Sequence, residues 1–310
     1  MVYGKVTGVL KYSGGEETMR KILKRICINK GLFFKTLGAT SGALFSTVSL
    51  FLTFFSFEDI GIHTSCCKLL VIFGVFVVAV LWSVVRVNIY KKKTIVNEAG
   101  RSVTLRYGNL MDFAFPRKRR DKRIVVISVN TAFDTIVDYA DVDKPLVSER
   151  TIHGQWIKQM QKHEIGIETI DSEIYKSLKG QKIWPNRILS KDRGKRDNYP
   201  KGTIASCTCN DTVFYLLALS EFDENNNAHN SIEELRQSME KLIDYIDRKG
   251  QGMDVYMPVM GGGMSRTEGI DDRTALELLK FELLINKDKL HGNVNVVIYE
   301  KNRDKISLGG

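Results

Sequence analysis

The distribution of apolar and polar residues divides the chain sharply. From Leu37 to Phe57 run 21 residues without a charge, LGATSGALFSTVSLFLTFFSF, and from Leu69 to Val85 another 17, LLVIFGVFVVAVLWSVV. As helices these would span about 31 Å and about 25 Å, against a hydrocarbon core of roughly 30 Å. Lys68 and Arg86 flank the shorter run and can snorkel to close the gap. Helices of soluble domains rarely stay uncharged on every face for so long, and a cleaved signal peptide would start earlier and have no second run behind it. The pattern therefore predicts a two-helix transmembrane hairpin.

Beyond Val85 the period changes. Ser102–Tyr107 alternates as a strand does, and Arg123–Asn130 (RIVVISVN) reads as a strand buried on both faces. Thr203–Thr208, Thr212–Leu219, Asp254–Val259 and Val294–Tyr299 read as further strands. Thr151–Lys162 places Ile152, Trp156, Ile157 and Met160 on one helical face. Ser231–Arg248 opens with a capping box of Ser231 and Glu234 and is followed by Gly250; Asp271–Ile285 reads as another helix. Strands alternating with helices imply a layered α/β domain over about residues 100–310. Lys179–Lys201, polar, basic and holding two prolines, reads as a long surface excursion. Residues 1–30 form no assignable element, and their basic character fits a membrane-surface segment. The expected division is thus a segment 1–30, a hairpin 31–90 with spans 37–57 and 69–85, and a domain 100–310.

Composition sharpens this picture. With 310 residues and 43% hydrophobic content, the chain is neither a disordered tail nor a disulfide-stapled miniature. Of the five cysteines, Cys66 and Cys67 are adjacent and Cys207 and Cys209 share one side of a strand; none has zinc-site spacing, so reduced thiols and no metal are expected. Lys5, Lys11, Arg20, Lys21, Lys24, Arg25 and Lys30 precede the first span, and Arg86 with Lys91, Lys92 and Lys93 closes the second; the short connection carries Glu58, Asp59 and His63. By the positive-inside rule both termini face the cytoplasm. That topology accounts for much of the +10 net charge, and without a zinc-finger or RNP1 pattern no nucleic-acid partner is predicted. The uncharged spans argue against a proton relay or a substrate-selective transporter. Gly38, Gly42 and Ser46 repeat every four residues on the first span. Such a face lets copies of the helix approach and, with the neighbouring hydroxyls, line an aqueous path; alternatively the glycines pack the hairpin internally and the hydroxyls bond their own helix.

Candidate chemistry gathers in three places. In VYMPVMGGGMSRTEG an apolar strand ends at Met260 and is followed by Gly261, Gly262, Gly263, Met264, Ser265 and Arg266. Consecutive glycines allow backbone N–H groups to converge on an anion, a following helix N-terminus adds a favourable dipole, and Arg266 can pair with a phosphate; the alternative is a flexible turn. The loop lacks the GK[ST] ending of a Walker A motif, so Mg-triphosphate chemistry is unsupported. Asn130 and Asp134 leave the carboxyl end of the buried strand, where α/β sheets bind ligands, or they cap the next turn. Thr151, His153 and Gly154 open a helix, and His153 alone reads as structural before catalytic. The run Arg117–Arg123 has three readings: a contact with anionic lipid, an attraction for a nucleotide, or a solvated loop.

A strand ending in Gly108-Asn109-Leu110, a strand ending in VN before Phe133-Asp134, the TIHG helix entry and the late MGGGMSR loop together resemble a macro domain. More specifically, VNTAFDTIVD…TIHGQWIK resembles the macro domain of the Thoeris antiphage defence effectors, which in type II systems follows two transmembrane helices. The resemblance covers about residues 37–300. It implies an α/β fold in which the hairpin precedes a macro-domain-like α/β/α three-layer sandwich with a mixed sheet. It also implies a ligand of the ADP-ribose type, a histidine conjugate made from NAD by a partner TIR-domain enzyme, and no further cofactor. Binding would switch on a multi-pass inner-membrane effector that oligomerises and damages the infected cell's own bilayer. By position Gly261–Arg266 match the diphosphate loop, Asn130 the asparagine near the distal ribose, and Thr151–Gly154 the second loop that approaches the phosphates. Asn109 stands where many macro domains have the Asp that contacts adenine. ADP-ribosyl-hydrolysing members carry a second asparagine three residues after the first; here that position is Phe133, which can stack on a ribose or base but cannot orient water. A reader of the nucleotide is thus expected, with a membrane-anchored ADP-ribosyl hydrolase as the alternative.

Overall fold

A computed structural model describes residues 13–98, 100–118, 121–139, 142, 145–184, 193–222, 228–262, 267 and 269–309. The chain forms two compact units. The first holds the N-terminal helices through Lys91 together with the stretch from Lys301, and the second runs from Lys92 to Glu300.

In the first unit, α1 (Ser13–Ile28), α2 (Lys30–Phe54) and α3 (Ser65–Ile89) follow one another closely. The sequence assigns no element to residues 1–30; α1 carries Met19, Ile22, Leu23 and Ile26 at helical spacing among basic residues, with Met19 and Leu23 exposed. Helix α2 holds the first uncharged run as far as Phe54 and α3 holds the whole of the second, and both are long and apolar enough to cross a membrane. Leu50, Phe54, Leu69, Phe73 and Trp82 are exposed, so these helices present apolar side chains outward rather than into a core. Thr47 and Thr53 donate their hydroxyls to the carbonyls of Ala43 and Ser49, one turn back, which is the self-satisfying arrangement. Gly38 and Gly42 do not pack the hairpin: a Cβ on either would meet nothing within 4 Å.

In the second unit a mixed sheet runs in the order β1-β2-β10-β9-β3-β7-β6, with the short β8 pairing on β7. These strands are β1 (Lys92–Glu98), β2 (Arg101–Gly108), β3 (Arg123–Asn130), β6 (Ile204–Cys209), β7 (Thr212–Phe222), β8 (Ala228–His229), β9 (Asp254–Pro258) and β10 (Asn293–Tyr299); two-residue strands β4 (Val137–Asp138) and β5 (Val147–Ser148) pair apart from them. The inner strands β2, β10, β9, β3 and β7 are parallel, while β1 and β6 run antiparallel at the edges. On one face lie α4 (Leu110–Ala114), α5 (Ile152–Lys162) and α6 (Ile167–Leu178), and Trp156, Ile157, Met160, Ile170 and Ile174 form a core there with Val125, Ile127, Phe214 and Leu216. The alternate residues of β7 serve the other layer, where the ring of Tyr215 meets Tyr245 of α7 (Ile232–Lys249), itself packed on α8 (Asp272–Ile285). This two-sided burial is why β3 and β7 read as nearly continuous apolar runs. Strand β1 was not foreseen, because its sequence KKTIVNE opens with the lysines that close the second span.

Candidate functional site

Because the inner strands are parallel, β2, β3, β9 and β10 end on one edge, and several of the singled-out residues leave from it. Asn109 follows β2, Asn130 closes β3 with Thr131–Asp134 behind it, and Gly261 and Gly262 lie just beyond β9. Gly263, Met264, Ser265 and Arg266 lie outside the described residues. Asn109 is the N-cap of α4, its Oδ1 accepting from the Met111 N–H at 3.1 Å.

After β3 the side chains close on one another. Asn130 donates its Nδ2 to Asp134 Oδ2 at 2.9 Å and accepts the Asp134 N–H at 3.0 Å. Asp134 is wholly buried and also accepts the Lys195 N–H at 2.7 Å. Lys195 donates its Nζ to the Phe133 carbonyl at 2.7 Å and pairs with Asp171 at 2.6 Å. The stretch Lys179–Lys201, expected as a surface excursion, therefore returns to this edge. At Gly194 φ is 86°, and a Cβ would overlap Asp134 Oδ1, so a side chain there is excluded on both counts. Phe133 departs further from expectation. It sits at φ 53° with 1% exposure, its ring edge-on to Tyr199 at 5.6 Å, so it is a core residue and offers no face for stacking. Arg123 likewise leaves the basic surface run: it is 4% exposed and donates to the Asp121 carbonyl.

The α5 entry is held by packing. Thr151 caps the helix, accepting from the Gly154 N–H at 3.0 Å and donating to the Ser148 carbonyl at 2.7 Å. A Cβ on Gly154 would overlap that same carbonyl and the backbone of Glu149, so glycine is needed for close approach. His153 is buried against Trp156, ring centroids 6.2 Å apart. Burial first, and the Lys195 charge second, hold its pKa at about 3, so the ring is neutral and brings no positive charge to a phosphate. Since the folded pKa lies below the unfolded one, this stability is complete above about pH 6.5 and is lost as pH falls towards 3. Denaturant midpoints of the full chain in detergent should fall by about 1.4 kcal/mol equivalents between pH 7.5 and 5.5, and that fall should be absent in His153→Asn. An equal fall in both proteins would contradict the assignment.

Among the described residues the next helix after the glycine bend is α8, starting at Asp272; its N-terminus is capped by Asp271, and a Cβ on Gly262 would overlap the Asp272 carboxylate. The dipole expected there is thus occupied by acids of the chain itself. Two residues that the sequence did not single out stand beside this bend. Asn230 and Thr267 pair as neighbours, and Thr267 donates its N–H to the Gly261 carbonyl at 3.2 Å. Asn230 is 3% and Thr267 4% exposed, yet the Asn230 Nδ2 and Oδ1 and the Thr267 Oγ1 have no hydrogen-bond partner among the described residues. A Cβ on Gly261, where φ is 92°, would lie 3.1 Å from the Thr267 hydroxyl. Backbone pairings connect these residues to the β3 end: Asn130 opposite Ser220, Glu221 opposite His229, then Asn230 opposite Thr267. In the sequence they look like an ordinary residue before a helix cap and a polar loop residue, with no spacing to mark them.

Among the described residues no group of three His, Cys, Asp or Glu side chains is placed to hold a metal ion. Cys207 and Cys209 are buried, and burial pushes the Cys207 thiol up to about 12, which makes it a poor nucleophile.

The family model described as Thoeris protein ThsA, Macro domain, matches residues 103–299. A Thoeris protein ThsA of Bacillus amyloliquefaciens (strain Y2) is 26% identical over 260 residues, covering 83% of this chain and 82% of the relative. Among solved structures, a mutant Oceanobacillus iheyensis macrodomain with ADPR is 12% identical, with a TM-score of 0.43, covering 69% of this chain and 92% of its own. The same macrodomain with MES bound is 11% identical, with a TM-score of 0.42, covering 69% and 90%.

Proposed function

Because the chain belongs to the Thoeris ThsA macro-domain family, we propose that it is a ligand-gated membrane effector of bacterial antiphage defence. Its second unit reads an ADP-ribose-type nucleotide, the histidine conjugate made by a partner TIR-domain enzyme, and occupancy switches the hairpin of residues 31–90 to a membrane-damaging state. The observation that carries the ligand reading is the set of three buried polar atoms on Asn230 and Thr267 that find no partner among the described residues. Leaving such groups without partners costs about 1–3 kcal/mol each, and a bound polar molecule is one way to satisfy them. The set is uncharged and offers both donors and acceptors, which suits ribose hydroxyls. In this reading Asn109, Asn130, Asp134, Thr151, His153 and Gly154 hold the strand and helix ends in place through their caps, pairs and packing. The burial of Phe133 supports a reader without hydrolase activity, since that position brings no group to orient water.

The hairpin lies in the cell membrane with both termini cytoplasmic, as the lysine and arginine distribution favours. Open faces at Gly38 and Gly42 support self-association of α2. Dye-loaded liposomes carrying the purified chain should release dye when histidine-conjugated ADP-ribose is added, with no conversion of the nucleotide. Nucleotide turnover would favour the hydrolase, and binding without release would remove the effector role.

A further inference from the structure

The stretch after β10 belongs to the helical unit and clasps the ends of all three helices. Arg303 is 5% exposed and donates its Nη2 to the carbonyls of Asn88, in the last turn of α3, and of Tyr90, its C-cap. A guanidinium at that point satisfies carbonyls that the helix cannot, and complements its dipole. Arg25, at the end of α1, reaches both ways: its Nε pairs with Asp304 at 2.7 Å and its Nη1 donates to Asn88 Oδ1 at 3.2 Å. Ser307 donates to Oδ1 of Asn29, the residue between α1 and α2, at 2.9 Å. Ile306 and Leu308 are buried, at 2% and 0% exposure. No lone surface ion pair would hold such a segment; a buried arginine, a bridging arginine and two buried aliphatic side chains together do.

Topology gives this clasp a second property. Strand β1 runs antiparallel to β2 and places Lys92 opposite Arg106; β10 runs parallel and places Tyr299 opposite Gly108. The chain therefore enters the sheet at Lys92 and leaves it at Glu300 on one edge, the edge where Asn109, Asn130 and Gly261 follow their strands. Both covalent links to the helical unit start from the ligand edge, and β10 lies hydrogen-bonded between β2 and β9, whose ends carry Asn109 and the glycine bend.

We infer that residues 301–309 are the transmission element of the effector: a rigid clasp on α1, the α1–α2 junction and α3 that carries changes at the ligand edge into the hairpin. The inference rests on the ligand-gated reading above. It is tested with the full chain in dye-loaded liposomes and, in parallel, in detergent for calorimetry, using histidine-conjugated ADP-ribose. Arg303→Ala and Asp304→Ala should bind the nucleotide within twofold of the unmodified protein, which also shows that the ligand domain is folded. Their dye release with nucleotide should equal that without it, a ratio near one, and Arg303→Lys, which keeps the charge but not the fork, should fall between. A release ratio in Arg303→Ala as large as in the unmodified chain would overturn the transmission role alone. If the unmodified chain neither binds nor responds, the ligand-gated reading itself has failed and the transmission role goes with it.

Discussion

Asp134→Ala is expected to destabilise the second unit by about 3–5 kcal/mol, enough to leave a domain of ordinary stability partly unfolded. The carboxylate is wholly buried and accepts from both the Asn130 amide and the Lys195 backbone. Alanine would leave both donors buried without partners, at about 1–3 kcal/mol each, and open a cavity at the exit of the central strand. It would also release the Lys195 backbone N–H from the turn whose Phe133 carbonyl the Lys195 Nζ holds. Denaturant melts of the full chain in detergent, followed through the buried Trp156, would measure this. A midpoint within about 1 kcal/mol of the unmodified protein would mean that the Asn130–Asp134–Lys195 cluster does not organise the edge.

Asn230→Leu should have the opposite effect on stability and a large one on binding. Replacing an unpartnered buried amide with an aliphatic side chain of similar volume removes a desolvation cost, so the ligand-free protein should gain about 1–3 kcal/mol. The same change removes a donor and an acceptor from the proposed ribose contact, so affinity for ADP-ribose should drop at least ~10-fold, the fold-change of about 1.4 kcal/mol. ADP, which lacks the second ribose, should lose less. A variant that is both less stable and unaltered in binding would show that Asn230 is satisfied within the protein and serves its packing.

Much of this molecule could be read before its structure was known, and the limits were local. Uncharged runs marked α2 and α3 because length and absence of charge suffice there, whatever the tertiary contacts. Strands β3 and β7 were legible because burial on both faces leaves only apolar residues in them. Edge strand β1 was not, since one solvated side and a lysine start remove the signal. The segment holding Gly194, Lys195 and Tyr199 looked like solvated loop because its contribution to the site is made largely by backbone groups and one ammonium, which composition cannot place. Phe133 shows the same limit from the other side: an aromatic residue at a motif position suggested stacking, and only the positive-φ turn shows that its ring points inward. Asn230, Thr267 and the Arg303 clasp depend on pairings between residues about 40 to more than 200 positions apart, for which a single sequence carries no sign.

The central claim is that the carboxyl edge of this sheet takes an ADP-ribose-type molecule, and a calorimetric titration of the unmodified full chain in lipid nanodiscs tests it most directly. The account predicts saturable heat with ADP-ribose and with its histidine conjugate, one site per chain, weaker for ADP and diminished in Asn230→Leu. Flat titrations with all three nucleotides, from a preparation whose melting transition shows it folded, would contradict it.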